Sequence, residues 1–160
     1  MQKFSQDERK IELADWVSRQ LSELQFSREF SSSPEVSAES LEVVSGDASF
    51  RRYFRLKLQA DCPKVTNDLS QKQNHISSLI AVDSPPEHED NESFVRIDAL
   101  LTKAGVRVPM VFSKCFDKGF LLLEDLGDHI LLPLLECAKR KGDKEYVDRI
   151  YADAIRSILF

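Results

Sequence analysis

Phe120-Leu121-Leu122-Leu123 lies between a turn triplet, Asp117-Lys118-Gly119, and a polar connector, Glu124-Asp125-Leu126-Gly127-Asp128. Four apolar residues bounded by turn formers are too few for a helix and read as a buried strand. Met110-Val111-Phe112, on the other side of the turn, is its hairpin partner. A buried strand needs neighbours, and the chain upstream supplies them. Leu41-Glu42-Val43-Val44 is one strand. After the stretch VSGDASFRRYF (44–54), Phe54, Leu56 and Leu58 alternate with Arg55 and Lys57, the period of two expected of a half-buried second strand. Leu79-Ile80-Ala81-Val82 is a third, stopping at Asp83-Ser84-Pro85-Pro86. The segment from Ala60 to Ser78 is polar and too long for a tight hairpin, so it reads as an exposed loop.

Helical patterns flank and interrupt these strands. Ser5-Gln6-Asp7-Glu8 has the form of a capping box and predicts a helix from about 6 to 25, closed by Ser31-Ser32-Ser33-Pro34. Its apolar residues Ile11, Ala14, Val17, Leu21 and Leu24 recur at steps of three and four, leaving Arg9, Arg19 and Glu23 in water. Pro85 and Pro86, followed by Glu87, Glu89, Asp90 and Glu92, open a second helix from about 88 to 104, because the helix dipole favours acids in its first turns. Phe94, Ile97, Leu101 and Ala104 form its stripe, and Gly105 ends it. Beyond Gly127-Asp128 the pattern turns helical. Leu131, Leu134 and Leu135 suit one helix, with Pro133 restricting its start, and Val147, Ile150, Tyr151, Ala154 and Ile158 mark another. That last helix runs to Phe160 without a stop signal, which suggests a chain cut within a longer fold.

The expected class is therefore α+β: a five-stranded antiparallel sheet with one helix inserted before its fourth strand. An N-terminal helix and linker would occupy 1–40, the sheet-bearing lobe 41–126, and the incomplete start of a helical lobe 127–160. Net charge is −5, and no run of basic residues has the length that marks a nucleic-acid tail, which argues against nucleic acid as a partner. No stretch approaches the roughly 20 apolar residues of a membrane span, and MQKFSQDERKIELADW carries acids where a signal peptide would be apolar. Cys62, Cys115 and Cys137 are odd in number and lack a CxxC pair, as in a reducing compartment. A cytoplasmic protein is the expectation. His75, His88 and His129 show no ligand spacing, and no metal cluster is visible.

Two stretches could carry chemistry. A turn of small residues between two strands can aim several backbone N–H groups at one point, an arrangement that binds phosphate, and Ser45, Gly46, Asp47, Ala48, Ser49 and Phe50 could form one. The same residues are also what an ordinary hairpin turn needs. Arg51 and Arg52 follow at once, but neighbours on a strand point to opposite faces, so at most one of them can face a given ligand. The second stretch is Glu124-Asp125-Leu126, where an apolar strand leaves the sheet. Its backbone groups could read an adenine edge while leucines sandwich the ring, or it could be a plain linker between packed layers. The acids at 83 and 87–92 read as caps and a solvated helix face.

Taken together and in order, GDASFRRYFRL, LIAVDSPPEHED, FVRIDALLTKAGVRVP and GFLLLEDLGD resemble the aminoglycoside phosphotransferase-like kinases. The resemblance is strongest to the bacterial branch containing the anomeric kinases of N-acetylmuramate and N-acetylglucosamine, and it spans about residues 11 to 160. It implies a protein-kinase-like fold, ATP and Mg²⁺ as cofactors, a nucleotide and an amino sugar of the cell wall as ligands, and neither nucleic acid nor membrane as partner. Under it, Ser45 to Phe50 cover the ATP phosphates, and backbone groups of Glu124 and Leu126 hold adenine. Two departures stand out. LIAVD lacks the lysine that the third strand of such kinases carries, leaving Arg51, Arg52 and Lys57 as candidate substitutes. The His-Gly-Asp catalytic loop and the later metal-binding Asp motif are absent, so no catalytic residue can be named, and this chain alone is expected not to turn over. The alternative expectation is a non-catalytic nucleotide-binding or protein-interaction module, docking through Ile150, Ala154 and Ile158.

Overall fold

The structure, a computed structural model, describes residues 6–24, 36–44, 49–58, 76–128 and 131–159. Ser5 of the expected capping box, the 31–34 stop, Ser45 to Ala48, Cys62, His75, His129 and most of the 60–78 loop lie outside those residues, as does the side chain of Ile158.

Five strands form one antiparallel sheet: β1 (Leu41–Val44), β2 (Arg52–Lys57), β3 (Ser78–Asp83), β4 (Val111–Cys115) and β5 (Phe120–Glu124), in the order β1-β2-β3-β5-β4. The helix α2 (Asn91–Lys103) lies in the chain between β3 and β4, as the sequence pattern requires. The apolar run Phe120-Leu121-Leu122-Leu123 lies in the buried strand β5, all four residues out of solvent. The sheet register sets Arg52 opposite Asp83 and Asp83 opposite Phe120, so the start of β2, the end of β3 and the start of β5 share one end of the sheet.

One face of the sheet is covered by α1 (Gln6–Glu23). Leu13, Ala14, Trp16, Val17 and Leu21 from the helix join Phe54, Leu56, Leu79, Ala81, Phe120 and Leu122 from the strands in one core. The Trp16 and Phe120 rings lie 5.8 Å apart at 47°. Each large side chain buried there contributes about 1.5–3 kcal/mol.

The expected stripe on α1 needs correction. Ile11 is 54% exposed and Leu24 38%, whereas Leu13 and Trp16, which the three- and four-residue steps skipped, are buried. At about 100° per residue Ile11 lies about 60° round the helix beyond Ala14, off the buried arc. Arg9 also differs from expectation. It precedes Leu13 by four residues, which puts it on the buried face, and it is half-buried instead of wet.

The helix α2 begins at Asn91, three residues later than expected. His88 and Glu89 both donate backbone N–H groups to the Pro85 carbonyl, which closes a turn before the helix. Asp90 then caps it through the Ser93 N–H at 2.9 Å. At the other end Gly105, with φ 80°, closes α2 as predicted. Val106 N–H reaches Leu101 O and Gly105 N–H reaches Thr102 O, the paired bonds of a Schellman motif.

The chain divides into two compact units, 1–93 with 110–125 and 94–109 with 126–160. The second contains the body of α2, α3 (Leu131–Lys141) and α4 (Lys144–Leu159). Pro133 is tolerated because it sits in the first turn of α3, where its missing N–H has no partner to lose. Leu135 and Ala138 are the buried residues of that helix, while Leu131 and Leu134 of its expected stripe are exposed. Asp143 caps α4 through the Tyr146 N–H. Among the described residues no helix is long and apolar enough to cross a membrane.

Candidate functional site

The end of the sheet where β2 starts and β3 stops holds a dense charge network. Asp83 is fully buried, and both its oxygens are taken by guanidinium forks. Arg9 reaches Oδ1 through Nε at 2.9 Å and through Nη2. Arg52 reaches Oδ2 through Nε at 3.0 Å and through Nη2. Arg9 also donates to the Lys118 carbonyl at 2.8 Å, which ties the first turns of α1 to the β4–β5 turn. Two guanidiniums thus share one carboxylate. A buried carboxylate is tolerable only when so paired.

Arg51 precedes β2, outside the strand on which it was expected, and its partners differ from those of Arg52. Its Nε donates to Ser84 Oγ at 3.2 Å, and its guanidinium lies 3.1 Å from Glu89. Glu89 also accepts the Phe50 N–H at 3.0 Å. The Phe50 ring stacks on His88, with centroids 4.3 Å apart at 21°. The exit of the β1–β2 connection is thus fastened to the turn before α2. Beneath it, buried Ser84 and Asn91 hold each other: Ser84 Oγ donates to Asn91 Oδ1, and Asn91 Nδ2 donates to the Ser84 carbonyl at 2.8 Å.

Gly119 completes this layer. Its carbonyl accepts the Ser84 N–H at 2.8 Å. Its φ is +69°, and a Cβ there would stand 1.9 Å from Ser84 O. Only glycine permits this approach. An open cleft of about 470 Å³ borders the site, lined by Pro86, His88, Glu89, Asp90, Asn91, Glu92 and Phe116.

The connector after β5 is fastened in its own way. Arg55 grips the Asp125 carboxylate with two bonds, Nη2 to Oδ1 at 3.0 Å and Nε to Oδ2, and Ser78 Oγ adds a third at 2.6 Å. The Glu124 N–H donates to the Met110 carbonyl at 2.8 Å, and its side chain accepts the Met110 N–H. Leu126 is exposed.

Of the residues singled out from sequence, the structure gathers Phe50, Arg51 and Arg52 at the cationic end of the sheet, with Ser49 bonded through its hydroxyl to the Arg51 N–H. Ser45, Gly46, Asp47 and Ala48 lie outside the described residues. Lys57 pairs with Glu42 on the exposed edge, at the other end of β2 from Arg52 and roughly 17 Å along it. Asp83 and Glu89 are corrections to the reading of the acids as caps and solvated surface: the first is buried in a strand, the second clasps the loop exit. Asp90 is the cap that was expected. Arg9 and Asp83 are 74 positions apart, and only the helical position of Arg9 four residues before Leu13 hints at its burial. Among the described residues no group of His, Cys, Asp or Glu side chains could hold a metal ion.

No protein-family model matches the chain, and no solved structure matches it. It is similar to the N-acetylmuramate/N-acetylglucosamine kinase of Pseudomonas putida, 35% identical over 153 residues that cover 96% of this chain and 38% of that protein. The protein of the same name in Pseudomonas aeruginosa is 37% identical over 132 residues, covering 82% and 33%. That of Neisseria meningitidis serogroup B is 26% identical over 125 residues, covering 78% and 28%. The chain therefore spans well under half the length of the curated relatives it matches, and all three carry the name of a kinase acting on amino sugars.

Proposed function

We propose that this chain is the nucleotide-binding part of a small-molecule kinase that phosphorylates the anomeric hydroxyl of a cell-wall amino sugar, within a protein-kinase-like fold of the aminoglycoside phosphotransferase type. The observation that carries the reading is its similarity, along 96% of its length, to a protein named N-acetylmuramate/N-acetylglucosamine kinase. The sheet geometry supports it. The β1–β2 connection, residues 45–50, would lie over the ATP phosphates, and Arg51 and Arg52 would supply the positive charge that the third strand lacks. Backbone groups at Glu124 and Leu126 would receive adenine. The Glu124 N–H is already given to Met110.

Kinases of this type use Mg²⁺ to neutralise the phosphates and a base to position the attacking hydroxyl. The described residues offer no ligand group for the metal, and the sequence contains no His-Gly-Asp tripeptide. This chain's share of the reaction is therefore binding: it fixes the phosphates and the base ring while the phosphoryl group passes to the sugar oxygen. Calorimetry of the chain with ATP, with and without MgCl₂, tests the reading. A saturable heat that ADP competes away is expected, and no heat at millimolar ATP contradicts it.

A second reading, a non-catalytic interaction module, draws on α4: of its expected docking face Ala154 is exposed and Ile150 half-buried, and Tyr151 and Ile155, not among the residues expected there, are about half exposed. It predicts that charged substitutions at Tyr151 and Ile155 change association with a partner and leave ATP binding unaltered.

A further inference from the structure

The last two residues of the β1–β2 connection, Phe50 and Arg51, present two donors to a single carboxylate. The Phe50 N–H donates to Glu89 Oε1 at 3.0 Å, and the Arg51 guanidinium lies 3.1 Å from Oε2. A backbone N–H beside a guanidinium is the donor set that proteins aim at phosphoryl oxygens. A carboxylate is the nearest anion a protein can make from its own side chains.

Three further observations bear on what this arrangement does. Arg51 and Glu89 each keep part of their side-chain surface in solvent, so an outside anion can reach the pair. Arg51 has a second anchor, Ser84 Oγ at 3.2 Å, which keeps the guanidinium aimed when Glu89 leaves. Next to it, Arg9 and Arg52 grip the carboxylate of Asp83, so two further guanidiniums stand close to the pair.

We infer that the Phe50 N–H and the Arg51 guanidinium form an anion site for a phosphoryl group, and that Glu89 is its built-in competitor. The nature of the anion rests on the nucleotide-binding reading above; the donor geometry does not. While Glu89 is seated, an outside anion binds with its affinity reduced by the fraction of time the site is open. Partly exposed ion pairs are weak, so the reduction is about two- to sixfold. His88, stacked on Phe50, keeps the loop exit near the turn while Glu89 comes and goes.

Pyrophosphate and ATP are titrated into the wild-type chain, Glu89→Gln and the double variant Glu89→Gln/Arg51→Ala. Glu89→Gln should bind pyrophosphate about two- to sixfold more tightly than wild type, and the double variant should lose the gain. Equal or weaker pyrophosphate binding by a Glu89→Gln protein that melts like wild type overturns the inference. If ATP binds the wild type while pyrophosphate binding ignores the substitution, the nucleotide reading survives and the competitor falls. A pyrophosphate gain in a chain that binds no ATP leaves the anion site standing and removes the nucleotide reading. Should Glu89→Gln fail to fold, the Phe50 amide resonance of the wild type decides: a saturable shift with pyrophosphate is required, and a static one overturns the proposal.

Discussion

Asp83, the last residue of β3, and Asp125, the first residue after β5, are compensated differently. Asp125 meets one guanidinium, Arg55, and the Ser78 hydroxyl. Asp83 meets two guanidiniums, Arg9 and Arg52. The first arrangement is a staple between β2, β3 and the segment after β5. The second does the same structural work with one more cation, beside Arg51 and the exit of the β1–β2 connection. Under the proposed nucleotide-binding reading, the end of the sheet with the three arginines would face the phosphates and the other end the base ring.

The largest effect should come from Asp83→Ala. It strands two half-buried guanidiniums, and breaking a buried pair in this way costs about 3–5 kcal/mol, read as the drop in urea midpoint. Asp125→Ala strands only one cation and should cost less, about 2–3 kcal/mol by the same reasoning. If the two losses are equal, the difference between the ends has no energetic content.

Gly119→Ala should rank between them. Its Cβ would press on the Ser84 carbonyl, and its left-handed backbone adds strain, for about 3 kcal/mol in all. Smallest is Lys57→Ala, which removes an exposed pair with Glu42 and should shift stability by roughly 0.5 kcal/mol or less. A large loss there would mean that the exposed edge of the sheet contributes more than its geometry implies.

The sheet was legible because its signals are local. The alternation of Phe54, Leu56 and Leu58 and the unbroken run of β5 need only a few consecutive residues to be read, and the turn formers beside them fix where each strand stops. The charge network was not. Arg9 finds Asp83 across 74 positions and Arg55 finds Asp125 across 70, and no periodicity encodes such a pairing. Glu89 illustrates the same limit at short range. It sits among acids that look like helix dressing, and Asp90 is indeed the cap. One residue earlier the chain is still in a turn, so the Glu89 side chain points to the loop exit and not along the helix.

The helical unit shows the opposite failure. Its stripes were readable as amphipathic patterns, yet Ile97 and Leu101 of α2 and Leu131 and Leu134 of α3 are exposed. A periodic stripe tells which face prefers burial, and it is silent on whether a partner surface lies against that face.

The most direct test of the account is the affinity of the folded chain for ATP, compared between wild type and Arg51→Ala, with adenosine as the control ligand. The account predicts that ATP binding weakens about tenfold or more, as expected for loss of a charge-assisted phosphate contact, while adenosine binding is unchanged. ATP affinity that survives the substitution intact would contradict the assignment of the cationic end to phosphate.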